Sequence, residues 1–538
     1  MIKKILGLLF MLIIVSVSYR CAQRGTPTGG PKDITPPELV RAEPPNMSVN
    51  FKENKIRLYF NELVKLKDIQ KQLIVSPPLK YPPVLSPTGN ANKFVEIIIK
   101  DTLEPNTTYT LNFGRGIVDN NEENPIPFFS YVFSTGDYID SLELAGVITD
   151  AFNKKADNFV SVMLYKIDST YTDSTLYKKP PNYITNTLDS TVIFRLKNLK
   201  EGKYALFAIK DASGNNLFDQ KTDKIGFTRD TITLPTESIY LLNLFKEVPD
   251  YSIAVPSMVA SNKISFGYYG DGTSIAIEAL SQLPDTVRSI VTKERQKDTL
   301  NYWFTPFKMD SILFAITNET LKISDTFNVK NRKVPFDSLQ LAMNQNGTLE
   351  FGKPVRLLVN SPLIAFDSSN IKMIDKDSIP VAYTVSLDSV ENGLDFDFKV
   401  APNQSYTLAF LPGAITDFFE NTNDSITYRL RTKSVADYGN LTLNLSGSDI
   451  TYPIIVQITN EKGETLREIY AKGPQSYTFD NMNPGTYMAR VIFDTNENGV
   501  WDTGNYLNNV QPEKIAYYPV PIELRANWEK IETFTLLE

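Results

Sequence analysis

Along Asp494-Thr495-Asn496-Glu497-Asn498-Gly499-Val500-Trp501-Asp502, carboxylate or amide oxygens stand at alternate positions 494, 496 and 498, a glycine follows, and Asp502 closes the run. Asp494, Asn496, Asn498 and Asp502 would place carboxylate and amide oxygens on one tight turn, the ligand type that a hard cation such as calcium takes. A weaker copy, Asp211-Ala212-Ser213-Gly214-Asn215-Asn216-Leu217-Phe218-Asp219, offers Asp211, Ser213, Asn215 and Asp219. There a serine replaces an amide, and no glycine stands at the equivalent of Gly499. Calcium is the one cofactor these residues raise. Their alternative is a metal-free loop, because aspartate and asparagine close such turns by bonding their own backbone. At the twelfth position, where a helix–loop–helix calcium site has a bidentate glutamate, this chain has Asn505. The residues before the loop, Ala489 to Phe493, read as a strand.

Other chemistries are excluded by composition. The 538 residues contain no histidine, which removes Ser-His-Asp and Cys-His nucleophiles, imidazole bases and His-ligated metals. The single cysteine, Cys21, allows neither an intrachain disulfide nor a cysteine-based metal site. Carboxylate-only catalysis stays open, but the pair Glu122 and Glu123 lies in a polar loop and reads as a solvated face. A net charge of −7 disfavours nucleic acid, whose phosphates need a basic surface. No enzyme signature is present.

The elements that position these loops are strands. Hydrophobic content of 42% and charged content of 22% are those of a folded chain, long enough for about three to five domains. Ile56, Leu58 and Phe60 alternate with polar neighbours, as do Val160, Val162 and Leu164. No stretch sustains a helical period. Two patterns then repeat. Leu103 to Phe113 returns as Val400 to Phe410, with Tyr109 to Tyr406 and Thr135 to Thr432 both 297 apart. Ile193 to Tyr204 returns as Tyr477 to Tyr487, and Gly202 to Gly485, Tyr204 to Tyr487, Asp211 to Asp494 and Asp219 to Asp502 are all 283 apart. A pair of domains has been duplicated.

The first pattern resembles the bacterial Ig-like family of the S-layer SbsA type. It is carried by Phe60-Asn61-Glu62-Leu63-Val64, Leu103 to Leu111, Ile117 to Asp119 and Phe133 to Gly136. The second, Phe194 to Tyr204 with the Asp211 loop beyond it, resembles the prealbumin-like or carboxypeptidase-regulatory-like sandwich, a spacer or interaction module. The expected fold is all-β: tandem Ig-like and prealbumin-like β-sandwich domains in an elongated array. Expected domains are Ig-like (36–137), prealbumin-like (140–235), an unassigned β domain (250–335), a degenerate second Ig-like domain (345–434) and a second prealbumin-like sandwich (438–538). The aromatics of the unassigned domain, Tyr302-Trp303-Phe304 among them, read as core rather than as a carbohydrate platform.

The N-terminus supplies the expected address. Lys3 and Lys4 precede an apolar run from Ile5 to Val17, too short for a comfortable span. Ser18-Tyr19-Arg20-Cys21 follows, and the whole resembles a bacterial lipoprotein signal, with Arg20 departing from the usual small residue. The resemblance implies a signal peptide over 1–20, lipidation (palmitate) at Cys21 and a tether over 21–35 rich in Gly and Pro. The chain then reads as a non-catalytic lipoprotein scaffold at the outer membrane of a Gram-negative cell envelope. Its partners would be the membrane and other envelope proteins. The alternatives are a carbohydrate-binding or glycan-processing surface protein, or an accessory subunit of an outer-membrane assembly or export complex. Periplasmic and surface faces both stay open; no acidic cluster follows Cys21. Finally, Asp-Ser/Thr-aliphatic triplets recur, such as Asp101-Thr102-Leu103 and Asp424-Ser425-Ile426. They resemble a bacterial O-glycosylation sequon but equally suit turn-to-strand junctions.

Overall fold

The alternation at Ile56, Leu58 and Phe60 becomes the inward face of the strand Lys55–Leu66, with all three side chains buried. The computed structural model describes residues 32–187, 192–447 and 450–536. The leader 1–20, Cys21 and the tether as far as Pro31 lie outside the described residues. Regular structure among the described residues is almost wholly strand; the α-helices are single turns at Ile69–Gln72 and Thr175–Lys178. The chain divides into two compact units.

The first unit holds the N-terminal sandwich together with segments 182–188 and 196–200. Lys55–Leu66 pairs antiparallel with Asn92–Ile98, and Thr108–Asn112 with Ser130–Ser134. The two sheets close over Ile56, Leu58, Val95, Leu111, Phe113 and Phe133. The Tyr109 hydroxyl accepts from the Glu104 N–H at 2.9 Å, and Thr135 Oγ1 accepts from Thr107 N at 2.9 Å while donating to the Glu104 carbonyl at 2.7 Å. Beyond Ile117–Asp119, the 2%-exposed Asp119 collects the N–H groups of Asn121, Glu122, Glu123 and Asn124. Burial works to raise this carboxyl, but the donors outweigh it and hold it below the usual carboxylate range.

The second unit repeats that geometry 297 residues later. Tyr406 pairs with Leu430 as Tyr109 pairs with Phe133. The Tyr406 hydroxyl accepts from Ala401 N at 2.7 Å, and Thr432 Oγ1 accepts from Gln404 N at 2.9 Å and donates to the Ala401 carbonyl at 2.7 Å. Asp417, fully buried, takes the place of Asp119 and accepts from Phe419 N, Asn421 N and Ser361 Oγ. The duplication read from residue types is thus a duplication of hydrogen bonds.

The 283-residue repeat is equally visible. Ser161–Lys166 pairs with Gly202–Lys210 and Ile454–Thr459 with Gly485–Phe493, both antiparallel. In each copy a late strand adds in parallel: Ile239–Leu244 beside residues 145–150, and Glu529–Thr535 beside residues 440–446. Between the copies, Lys263–Tyr269, Thr299–Phe304, Ser311–Asn318 and Ile323–Lys330 build the middle sheets. Tyr302, Trp303 and Phe304 are 4%, 1% and 1% exposed, so these rings are core. The Trp303 indole N–H donates to Thr292 Oγ1 at 2.9 Å, which satisfies its one polar atom.

Candidate functional site

The strand Gly202–Lys210 runs into the Asp211 loop, and Gly485–Phe493 runs into the Asp494 loop. The two loops fold alike. Asp211 Oδ2 accepts from Asn216 N at 2.7 Å, and Asp494 Oδ2 from Gly499 N at 2.8 Å, at equivalent positions. Asn215 Oδ1 accepts from Leu217 N at 2.8 Å, and Asn498 Oδ1 from Val500 N at 2.9 Å. Each turn passes through two left-handed residues, Gly214 (φ 71°) and Asn216 (φ 59°) in one, Glu497 (φ 64°) and Gly499 (φ 80°) in the other. Glycine supplies this conformation at one place in each loop. At Asn216 it comes from asparagine, the residue that next most readily adopts it. The glycine absent at 216 therefore does not make the first loop a different turn.

Two further carboxylates, outside the repeated Asp/Asn runs, close these loops. Glu513, 8% exposed, accepts from Thr495 N at 2.6 Å and Thr495 Oγ1 at 2.8 Å on one oxygen, and from Asp502 N at 3.1 Å on the other. Asp223, fully buried, accepts from Ala212 N at 3.0 Å and Asp219 N at 2.9 Å. Ala212 and Asp219 are the counterparts of Thr495 and Asp502. One acid thus ties both ends of each loop together. Each lies two residues ahead of a paired isoleucine, Ile225 opposite Ile209 and Ile515 opposite Ile492. The signal was present as Asp223-Lys224-Ile225 and Glu513-Lys514-Ile515.

The candidate ligand oxygens are engaged inside the loops. Asp494, 2% exposed, also accepts from Asn498 N at 3.2 Å. Asn496 and Asn498 turn their amide N–H groups, not their oxygens, to Asp502 Oδ2, both at 2.7 Å. Asn496 Oδ1 accepts from Asn498 N and Asp219 Oδ1 from Lys221 N, while the Ser213 hydroxyl donates to Asp211. Among the described residues, no group of three or more His, Cys, Asp or Glu is arranged to hold a metal ion. Because hydrogen bonds close both turns, chelation is expected to leave the melting temperature unchanged within about 1 °C. A calcium-dependent rise that Asp494→Ala abolishes would place an ion there instead.

What the Asp494 loop does present is Trp501. Its indole N–H donates to the Glu513 carbonyl at 3.1 Å, and its ring lies 4.7 Å from that of Phe152, in the first copy. The equivalent residue of the first loop, Phe218, packs on Tyr177 of its own copy at 5.4 Å. The acid pair flagged in the sequence is committed elsewhere: Glu123 pairs with Lys67, and Glu122 lies 3.5 Å from Lys32.

Residues 33–135 match the model of the bacterial Ig-like domain family. Among solved structures, the S-layer protein rSbsC is 13% identical, with 90% of this chain and 67% of that one covered and a TM-score of 0.15. The Bacillus anthracis TIE protein is 10% identical over 94% of this chain and 75% of that one, with a TM-score of 0.14. A variant of BcpA, the major pilin subunit of Bacillus cereus, is 11% identical over 74% and 99%, with a TM-score of 0.14. A search of curated proteins gives no match.

Proposed function

We propose, for a chain whose residues 33–135 are a bacterial Ig-like domain, that it is a non-catalytic scaffold of the cell envelope. It is held at the outer membrane of a Gram-negative bacterium by acylated Cys21, and its partners are other envelope proteins. The observation that carries this reading is where the polar groups go. Among the described residues, Asp119, Asp417, Asp223, Glu513, Asp211 and Asp494 are each occupied in capping a loop. A catalytic acid or base needs an oxygen directed at a substrate, whereas these are directed at their own backbone. The lipoprotein-type leader and the absence of histidine support the same reading from the sequence.

A carbohydrate-binding role would draw on exposed ring faces of the middle sheets, and Tyr302, Trp303 and Phe304 are buried there. The full chain is therefore expected to give no signal above background on a glycan array and no release of sugar from a panel of envelope polysaccharides. Turnover that disappears on replacing a single carboxylate would overturn the scaffold reading and install glycan processing in its place.

A further inference from the structure

The two duplicated sandwiches differ by an insertion. Ile209 and Ile492 are 283 apart, while their sheet partners Ile225 and Ile515 are 290 apart. The second copy therefore carries seven extra residues between its Asp494 loop and the following strand. They form a hairpin closed by reciprocal hydrogen bonds between Asn505 and Val510, at 2.8 and 2.9 Å. The hairpin does not lie on its own copy. We propose that residues 503–512 are a clasp, which only the C-terminal of the two copies carries, that inserts Tyr506 into the N-terminal copy and holds the two sandwiches together.

The seat of Tyr506 is built for a ring with a polar edge. The ring meets Phe207 at 5.1 Å and Phe227 at 5.4 Å, both edge-on, and its hydroxyl lies 3.3 Å from that of Tyr171. The Tyr506 N–H donates to Glu247, a carboxylate only 3% exposed, whose other oxygen accepts from Gln220 at 2.9 Å. Burial keeps that carboxyl above the usual glutamate range. An acid sealed this deeply needs the donor that the hairpin brings. Thr503 Oγ1 donates to the Lys246 carbonyl at 2.7 Å, and Gln511 Nε2 to the Phe227 carbonyl at 3.1 Å. A Cβ added at Gly504 would stand 2.7 Å from the Phe245 ring, so the hairpin approaches as closely as glycine allows.

A second contact, outside the insertion, reinforces the first. The Phe152 ring meets both Trp501 and the Arg490 guanidinium, the latter 4.3 Å away, and Lys154 Nζ donates to the carbonyls of Tyr518 and Pro519 at 3.0 and 2.7 Å. Asp150 presents Phe152 by accepting the N–H groups of Phe152 and Asn153. Both halves belong to one chain, so closing the contact is an intramolecular step. The middle sheets and the second Ig-like sandwich, which connect the copies in sequence, are then tethered at both ends.

Hydrogen exchange on the full chain in detergent tests the clasp. Peptides covering 150–154 and 503–511 are expected to exchange at least tenfold more slowly than the exposed turn 460–464. In Tyr506→Ala/Phe152→Ala, and separately in Gly504→Val, both peptides should lose that protection while strands 161–166 and 454–459 keep theirs. Wild-type peptides that exchange as fast as the turn, or variants that leave exchange unchanged, would overturn the proposal. So would variants that open the strands together with the hairpin, since the contact would then be inseparable from the fold.

Discussion

Glu513→Ala is expected to lower local stability around the Asp494 loop by about 2–4 kcal/mol, and Asp223→Ala to do the same around the Asp211 loop. Each acid satisfies two backbone N–H groups seven residues apart in sequence. Removing it breaks two hydrogen bonds to a buried charged acceptor, worth about 1–2 kcal/mol each because the donor residues themselves lie partly in solvent. Glu513→Gln keeps an acceptor oxygen for one end of the loop and should cost about half as much. A chain of several domains does not unfold in one step, so a single global free energy is the wrong readout. The fluorescence of Trp501, whose indole N–H rests on the Glu513 backbone, reports the local transition in urea. A shift of the Trp501 transition worth under about 0.5 kcal/mol would show that these acids are decoration rather than loop closures.

The fold was largely legible, for a physical reason. Period-two alternation reports which side of a strand is buried, so Ile56, Leu58 and Phe60 declared their face. Constant offsets reported the duplication, and the hydrogen bonds of Tyr109 and Tyr406, or Thr135 and Thr432, repeat with the residues that make them. The loop was less legible. Oxygens at alternate positions suit a calcium ion and a chain of Asx turns equally well, and residue types do not say which way the Asn496 and Asn498 amides turn.

Least legible was the contact between copies. Tyr506 and Glu247 lie 259 residues apart, and no periodicity names the partner of an exposed ring. The trace it left was a change of offset from 283 to 290, visible in Asp223-Lys224-Ile225 and Glu513-Lys514-Ile515. Phe419 shows the same limit. It stands in a loop whose counterpart in the first Ig-like sandwich carries Asn121, and it packs against Phe336 at 5.1 Å and Trp303 at 6.4 Å. In both cases the C-terminal copy carries an aromatic loop residue that meets a neighbouring sandwich.

The largest expected effect is on location. If Cys21 carries the lipid, Cys21→Ser removes that covalent hold on the membrane, and among the described residues no helix is long and apolar enough to span. One acyl chain gives marginal, reversible binding and stable retention takes two or more, so the two chains should differ in kind rather than degree. The decisive measurement is the partition of each between outer-membrane and soluble fractions after high-salt washing, with labelled palmitate followed in parallel. The wild-type chain is predicted to stay with the membrane until detergent is added and to carry the label, whereas Cys21→Ser is unlabelled and leaves the outer-membrane fraction. A wild-type chain that washes into the soluble fraction, or one that stays bound with serine at position 21, would contradict the account of an acyl-anchored envelope scaffold.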